Sequence, residues 1–321
     1  MNIKVYSLLF VVILGFTSCK SNKNSSDITF GFLIHSLEKV RWNKDVALIK
    51  QRSEEKGFHV IIKDADGNAE VQIEQAKELI EQNVDVLVIV AANQNSAAQI
   101  VRLANDSDIP IVAYDRLIQN CDLDYIVSFN YYKVGEMMAN YVFTRINSGN
   151  IVFMYGDSND ANAIMVKDGI EKVFVKENAS GDYNLVYKNF IEGWSYDVAK
   201  YEFSKVAKYF TEPIDAVISC NTPIALAVVD VLKENDRDPQ NTIITSQDFS
   251  DQLGVSINNN EVSMTVDKPL KNLAFGLVDL VEKIHQGSKD KGLNGFVNNR
   301  KKEVEALLFE PFIIDQKNIA D

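Results

Sequence analysis

The sequence has few of the residues from which metal centres and disulfide frameworks are built. Its 321 residues include three cysteines and three histidines, and these lie far apart along the chain. This scarcity excludes a disulfide framework and a Cys/His metal cluster, so neither a metal nor another cofactor is expected. Cys121 and Cys220 lie in different halves of the chain, and we expect both to be free thiols.

Phosphate-binding loops and hydrolase motifs are missing as well. The 15 glycines stand mostly alone and form neither a GxGxxG motif nor a Walker loop. No nucleophile-elbow motif with Ser or Cys accompanies His35, His59 or His285, so the sequence offers no nucleophile for a catalytic triad. These absences argue against nucleotide-dependent enzymes and serine or cysteine hydrolases.

Positive charge is also in short supply. Lys and Arg together number 33 against 45 Asp and Glu, a net charge of −12. A protein that binds polyanions carries the opposite sign, so nucleic acid and anionic membrane surfaces are poor candidates as partners. A neutral small ligand remains possible. The length and the 46% apolar content are sufficient for two domains, each with its own core.

The only long apolar run lies at the start of the chain. Val5 to Phe16 is shorter than the roughly 20 residues that span a membrane, and Thr17-Ser18-Cys19 follows it. A short apolar run before small residues is typical of a secretory signal, and the small-small-Cys site resembles the bacterial lipobox. The sequence predicts a lipoprotein signal peptide over 1–18, lipidation of Cys19 and a polar tether over 19–27. A plain signal peptide with an incidental cysteine is the alternative.

The rest of the chain alternates short β-branched runs with helical patterns, and the alternation occurs twice. Ile73, Ala76 and Ile80 form one buried stripe at helical spacing, and Val84–Val90 is almost continuously apolar, as a parallel strand covered on both faces should be. We therefore predict an α/β fold with two doubly wound parallel-sheet lobes joined by a multi-crossing hinge. The predicted lobes are 28–127 plus 267–290 and 128–266 plus 300–321, with one strand over Ala306–Ile314.

Polar and aromatic residues follow the predicted strands. Ligands of open α/β sheets bind beyond the carboxyl ends of the strands, so these loops are where function is expected. Carboxylates, amides and guanidinium groups there accompany both tryptophans, a mixture that suits a pyranose with hydroxyls on its rim and C–H faces. Each residue also has a structural interpretation, as a helix N-cap, a core anchor or a surface ion pair. The segments are Arg41-Trp42, Asp64–Asn68, Asn93, Tyr114–Arg116, Asp157–Asn162, Glu192–Trp194, Asn221, Gln247-Asp248 and Asp267-Lys268.

The order of these segments resembles the periplasmic D-xylose-binding proteins, which belong to the type I periplasmic sugar-binding family of ABC importers. The resemblance covers about residues 28–316. It departs from the family pattern at Asn221-Thr222, Ile164 and His35-Ser36. The segments that carry it are Gly31–Asp45, Val84–Ile89, Ala113–Arg116, Ser128–Asn130, Asp160 with Asn162-Ala163, Gly193-Trp194, Ser246–Asp248 and Met264–Pro269.

The resemblance implies a binding site and a mechanism. Two lobes would close over a monosaccharide, D-xylose or a related aldose, and present it to an ABC permease. The alternative partner is the periplasmic domain of a sensor kinase. A periplasmic monomer anchored to the membrane only by its lipid follows from the same interpretation. The implied ligand-binding residues are Arg41, Trp42, Asp115, Arg116, Asp160, Asn162, Trp194, Asn221, Asp248 and Lys268.

A carbohydrate-acting enzyme is the competing class. Asp115, Asp160 and Asp248 are candidate acid/base groups for such an enzyme. Arg41, Arg116 and Lys268 balance them, however, and we expect these cations to keep all the carboxylates ionised as hydrogen-bond acceptors. The sequence therefore favours binding over catalysis.

Overall fold

The computed structural model describes residues 28–38 and 40–319. The predicted signal peptide, Cys19 and the tether lie outside these residues. The first stretch of the chain contains β1 (Thr29–Ile34), α1 (Val40–Lys56), β2 (His59–Asp64), α2 (Ala69–Glu81), β3 (Val86–Ile89), α3 (Gln94–Asp106), β4 (Ile111–Tyr114) and β5 (Tyr125–Phe129).

Two further stretches follow. The second contains α4 (Tyr131–Phe143), β6 (Gly149–Tyr155), α5 (Ala161–Glu177), β7 (Tyr183–Phe190), α6 (Tyr196–Tyr209), β8 (Ala216–Ser219), α7 (Thr222–Glu234), β9 (Ile243–Gln247), α8 (Asp251–Asn258) and β10 (Met264–Asp267). The third contains α9 (Leu270–His285), β11 (Gly295–Asn298), β12 (Glu303–Phe309) and β13 (Phe312–Asp315).

These elements form two α/β lobes, which confirms the predicted fold class. Within the described residues, the first lobe has a 7-stranded sheet in the order β11-β12-β5-β4-β3-β1-β2, and the second a 6-stranded sheet in the order β13-β10-β9-β8-β6-β7. Helices cover both faces, so central strands such as β3 are buried along their whole length. On α2, Ala76 is fully buried, whereas Ile73 and Ile80 pack at the border of the core.

The sheets are mixed at one edge rather than wholly parallel. The pairs β11–β12 and β10–β13 are antiparallel, and the remaining pairs among the described strands are parallel. Both exceptions involve strands that follow α9: β11 and β12 are joined by a hairpin turn, and β13 follows β12 without an intervening helix. An antiparallel edge strand needs only a short connection, whereas a parallel strand needs a crossover.

The C-terminal assignment differs from the prediction. The expected single strand over 306–314 is broken at Glu310-Pro311, since proline has no N–H for a ladder. β12 pairs with β5 in the first sheet, with Leu307 opposite Val127, while β13 pairs with β10 in the second. The prediction that placed 300–321 wholly in the second lobe is therefore wrong for β12. The described chain crosses between lobes after β5, after β10 and between β12 and β13.

Two glycines let α4 and α5 approach closely in the second lobe. A Cβ on Gly135 would lie 2.0 Å from the Val166 carbonyl oxygen, and one on Gly169 would lie 2.2 Å from that of Tyr132. Only hydrogen fits at these positions. The close crossing fixes the N-terminal ends of both helices, which point toward the gap between the lobes.

Two remaining expectations concern thiols and membrane spans. Cys121 and Cys220 are buried and free. Among the helices that the structure describes, none combines the length and the apolar character needed to cross a bilayer.

Candidate functional site

A cavity of about 630 Å³ lies between the two lobes, beyond the carboxyl ends of their strands. Pockets of this size accommodate small organic ligands. Every ligand-binding residue proposed from the sequence lines it, namely Arg41, Trp42, Asp115, Arg116, Asp160, Asn162, Trp194, Asn221, Asp248 and Lys268. We call this space the inner cavity. Residues that are distant in sequence therefore lie together beyond the carboxyl ends of the strands, where ligands of open α/β sheets bind. We call this expectation the strand-end rule.

Arg41 and Asp115 form the polar centre of the first lobe. Arg41 Nη1 lies 2.9 Å from Asp115 Oδ2, and its Nε lies 3.4 Å from Asp45 Oδ2 one helical turn further along α1. Asp45 and Asp115 are almost completely buried. Tyr114 donates a 2.5 Å hydrogen bond to Asp45. The guanidinium is thus held between two carboxylates in a fixed orientation.

Residues at the lobe crossings contact the same centre. Tyr131, which begins α4 after the first crossing, donates its phenolic hydrogen bond to Asp115 Oδ1. Lys268, just after β10, lies 2.6 Å from Asp248 Oδ1 and 3.0 Å from Gln247 Oε1, and its ammonium stands 4.9 Å from the Tyr131 ring centroid. The hinge therefore supplies both an aromatic ring and a cation to the cavity.

In the second lobe, two proposed ligand residues are also helix caps. Asp160 accepts a 2.9 Å hydrogen bond from the Asn162 N–H at the start of α5. Asn221 accepts a 2.8 Å bond from the Ile224 N–H at the start of α7 and donates a 3.1 Å bond to the Trp194 carbonyl. Capping uses one carboxylate oxygen of Asp160, so the two interpretations coexist for this residue, whereas Asn221 already uses both its amide oxygen and its amide nitrogen within the protein.

The two tryptophans lie in different surroundings. Trp42 is buried, with Arg41 and Arg116 guanidinium carbons 4.4 and 5.6 Å from its ring centroid. Trp194 lies in a 3-10 turn (Glu192–Trp194) and has a φ of +56°. Its indole occupies the space beside Gly156, where a Cβ would lie 2.1 Å from the ring. The second indole therefore reaches the cavity only because residue 156 is a glycine.

Asn162 also joins the lobes across the cavity. Asn162 Nδ2 donates to the Asp115 carbonyl oxygen at 3.3 Å. Asn162 Oδ1 and Arg41 Nη2 are buried and have no hydrogen-bond partner among the described residues. Both residues line the cavity, but these two atoms are enclosed by the protein in this conformation.

The carboxylates differ in their electrostatics. Burial favours the neutral form of Asp115, but Arg41, the Tyr131 hydrogen bond and Lys268 outweigh it and lower the pKa of this carboxyl. For Asp160 burial dominates, and the pKa is raised despite the nearby Arg116. The expectation that the cations keep the carboxylates from upward shifts is therefore wrong for Asp160. Asp115 has an arginine at 2.9 Å, whereas Arg116 donates to the Ala91 carbonyl at 3.1 Å and its attraction does not outweigh the burial of Asp160.

Sequence reasoning missed Tyr131 and Asp45. Tyr131 begins the helix that follows β5 and was detectable by the same strand-end rule. Asp45 lies one helical turn after Arg41, and an acidic residue at that spacing was the available signal. Among residues 28–38 and 40–319, no cluster of three or more His, Cys, Asp or Glu is placed to hold a metal.

Two α/β lobes that share a polar and aromatic cavity and are joined by a multiply crossed hinge define a two-lobed solute-binding protein. A family model described as "Periplasmic binding protein domain" matches residues 30–289. The chain belongs to this family, in its type I sugar-binding branch.

Named relatives agree with this assignment. A "D-xylose-binding periplasmic protein" of Haemophilus influenzae is 30% identical over 98% of this chain and 95% of its own length, and one from Escherichia coli is 28% identical over 99% and 96%. A solved structure of a carbohydrate transporter solute-binding protein from Chloroflexus aurantiacus, in complex with D-glucose, shares the fold. Its TM-score is 0.82 at 23% identity, covering 91% of this chain and 94% of that one.

Proposed function

We propose that this protein is a lipid-anchored periplasmic binding protein that captures a monosaccharide between its lobes and presents it to an ABC importer. The inner cavity carries this proposal. It combines two tryptophans with carboxylates that are paired with cations, and residues of both lobes line it. Ionised acceptors and donors make the strong hydrogen bonds that a hydroxyl-rich neutral ligand needs when it leaves water.

The preferred ligand class is an aldose, with D-xylose the first candidate. Support comes from the names of the two relatives that match nearly the full chain. Solved neighbours with other ligands, including β-D-glucose, make a hexose the first competitor.

Closure of the hinge is the proposed mechanism. Arg41, Asp115 and Arg116 come from the first lobe, whereas Asp160, Asn162 and Trp194 come from the second. A sugar that contacts both sets has more contacts in the closed form than in the open one and therefore shifts the population toward closure. The permease then recognises the closed pair of lobes.

Binding without chemical change is the proposed outcome for the sugar. Asp115 is held ionised by Arg41, so it is not placed as a proton donor, and Asp248 forms a salt bridge with Lys268. Recovery of an altered sugar after incubation with the protein would contradict this.

Isothermal titration of the purified protein against D-xylose, L-arabinose, D-ribose, D-glucose and D-galactose tests the ligand class. We expect saturable 1:1 binding of at least one aldose. Absence of binding to every free monosaccharide, with binding of a nucleoside, would refute the proposal. Mass spectrometry of the membrane fraction tests the anchor, which a Cys19→Ala variant should lose.

A further inference from the structure

A second space, which we call the outer pocket, adjoins the inner cavity and has no role in the function proposed above. Its volume is about 530 Å³, and it shares Arg116, Asp160 and Trp194 with the inner cavity. Its own walls come from both lobes: Gln119, Asn120 and Arg300 on the first, and Asp157, Ser158 and Asn159 on the second. The two spaces are therefore adjacent, with these three shared residues between them.

The first-lobe wall is rigidly built. Arg300 lies in the turn between β11 and β12, and the neighbouring Asn299 is completely buried. Asn299 Nδ2 donates to the carbonyls of Ile118 at 3.2 Å and Cys121 at 2.9 Å, and its own carbonyl accepts a 2.7 Å bond from the Asn120 N–H. This buried amide fastens the hairpin turn to the loop after β4, which places Arg300 beside Asn120.

The second-lobe wall is braced in a similar way. Asp157 Oδ2 accepts a 2.7 Å hydrogen bond from the Gly193 N–H, and Asp157 Oδ1 accepts a 2.8 Å bond from the Asn159 N–H. The loop after β6 is thus attached to the turn that carries Trp194. Asn120, Trp194 and Arg300 all have positive φ, between +56° and +68°. This conformation is uncommon for tryptophan and arginine, and the surrounding hydrogen bonds hold these turns in place.

The chemistry of the outer pocket indicates its ligand. Its charged residues are two arginines, Arg116 and Arg300, and two aspartates, Asp157 and Asp160, so the lining is balanced in charge. Amides and a serine supply further donors and acceptors, and Trp194 adds an aromatic edge. Such a lining suits a neutral, hydroxyl-rich group rather than an ion.

We propose that the outer pocket is a second saccharide subsite, which binds the neighbouring unit of a disaccharide or glycoside whose first unit occupies the inner cavity. This inference rests on the proposed function, since the first unit must be an aldose bound beside Trp194. The shared wall of Arg116, Asp160 and Trp194 lies where the two units would be linked.

Isothermal titration compares the aldose that binds best in the panel above with its 1,2-, 1,3- and 1,4-linked homodisaccharides. We expect at least one disaccharide to bind within about tenfold of the aldose. Arg300→Ala should weaken that disaccharide by about 10- to 100-fold, the loss expected for one charge-assisted hydrogen bond, and Asn120→Ala by about three- to tenfold, the loss for a neutral one. Neither variant should change aldose affinity as much as twofold. Arg102→Ala is the matched control, because Arg102 is exposed on α3 in the same lobe and lines neither space.

The outcomes separate the two proposals. Binding of the aldose with no binding of any of the disaccharides overturns the second subsite and leaves the proposed function intact. Equal loss of both ligands in Arg300→Ala, or no loss of either, also overturns it. No binding of any aldose or disaccharide would refute the proposed function itself.

Discussion

Replacement of Asp115 by asparagine tests the polar centre of the site. Asp115 is 2% exposed and lies 2.9 Å from Arg41, whose side chain is 25% exposed. Loss of one partner of a buried ion pair costs roughly 3–5 kcal/mol. Arg41 keeps Asp45 at 3.4 Å and is partly hydrated, so we expect a lower cost, about 2–3 kcal/mol of unfolding free energy.

Asp115→Asn should also weaken sugar binding by about 10- to 100-fold, the range for one charge-assisted hydrogen bond. Urea denaturation and isothermal titration measure the two effects. Asp122→Asn is the control, since Asp122 is an exposed carboxylate paired with Lys301 outside the cavity, and it should change neither quantity. Unchanged affinity in Asp115→Asn would refute the placement of Asp115 in the site.

The same variant has a defined pH dependence. Because the pKa of Asp115 is lowered in the folded protein, its stabilising contribution is complete above the ordinary carboxyl pKa of about 3.9 and is lost as pH falls through the lower folded value. The stability difference between wild type and Asp115→Asn should therefore be constant from neutral pH to about 4 and shrink below it. A difference that begins to shrink near neutral pH would contradict this assignment.

Three further predictions concern other parts of the molecule. Trp194→Ala should weaken sugar binding by more than about 30-fold, since a central aromatic contact is worth about 2 kcal/mol or more, while circular dichroism shows an intact fold. Because the pKa of Asp160 is raised, its ionised acceptor form is lost at a higher pH than that of an ordinary carboxyl. Sugar affinity should therefore decline as pH falls toward 4 from above. Asp160→Asn should flatten this decline in titrations across pH. Gly135→Ala should destabilise the protein by about 1–3 kcal/mol in urea denaturation, because its Cβ would meet the Val166 carbonyl at 2.0 Å.

Each of these predictions has a contrary outcome. Normal affinity in Trp194→Ala would remove the indole from the ligand contact. A pH profile of affinity that is the same in Asp160→Asn and wild type would assign the titration to another group. Gly181→Ala provides a comparison for Gly135→Ala, because Gly181 has open space around it and a φ of +80°. Any loss of unfolding free energy in Gly181→Ala would come from the positive φ of the backbone, because the added Cβ would meet no neighbouring helix.

The predictable part of the structure was the part determined by local periodicity. Apolar runs such as Val86–Ile89 and the stripe around Ala76 specify buried strands and helix faces, and the strand-end rule then collects the polar loops into one cavity. The pairing of β12 with β5 was not predictable in this way. The sequence of Glu303–Phe309 indicates a strand but does not indicate which distant strand it pairs with. Arg300 was missed for the same reason.

The pKa shifts of the carboxylates in the site could not be predicted from the sequence either. Counting cations against carboxylates treats Asp115 and Asp160 alike, yet their pKa values shift in opposite directions. The difference depends on which arginine makes close contact and which one is turned to a backbone carbonyl, as Arg116 is. Such contacts depend on side-chain packing, which cannot be derived from composition and residue spacing.

The place of β12 has a consequence for how the protein is made. β5 stays an unpaired edge of the first sheet until β12, almost the last strand to be synthesised, arrives beside it. During synthesis the first lobe therefore cannot close its sheet early, and its nascent form exposes a strand to other chains. A chain that stops before residue 295 lacks β11, β12 and β13, so its first lobe should remain more sensitive to protease than that of the full-length chain.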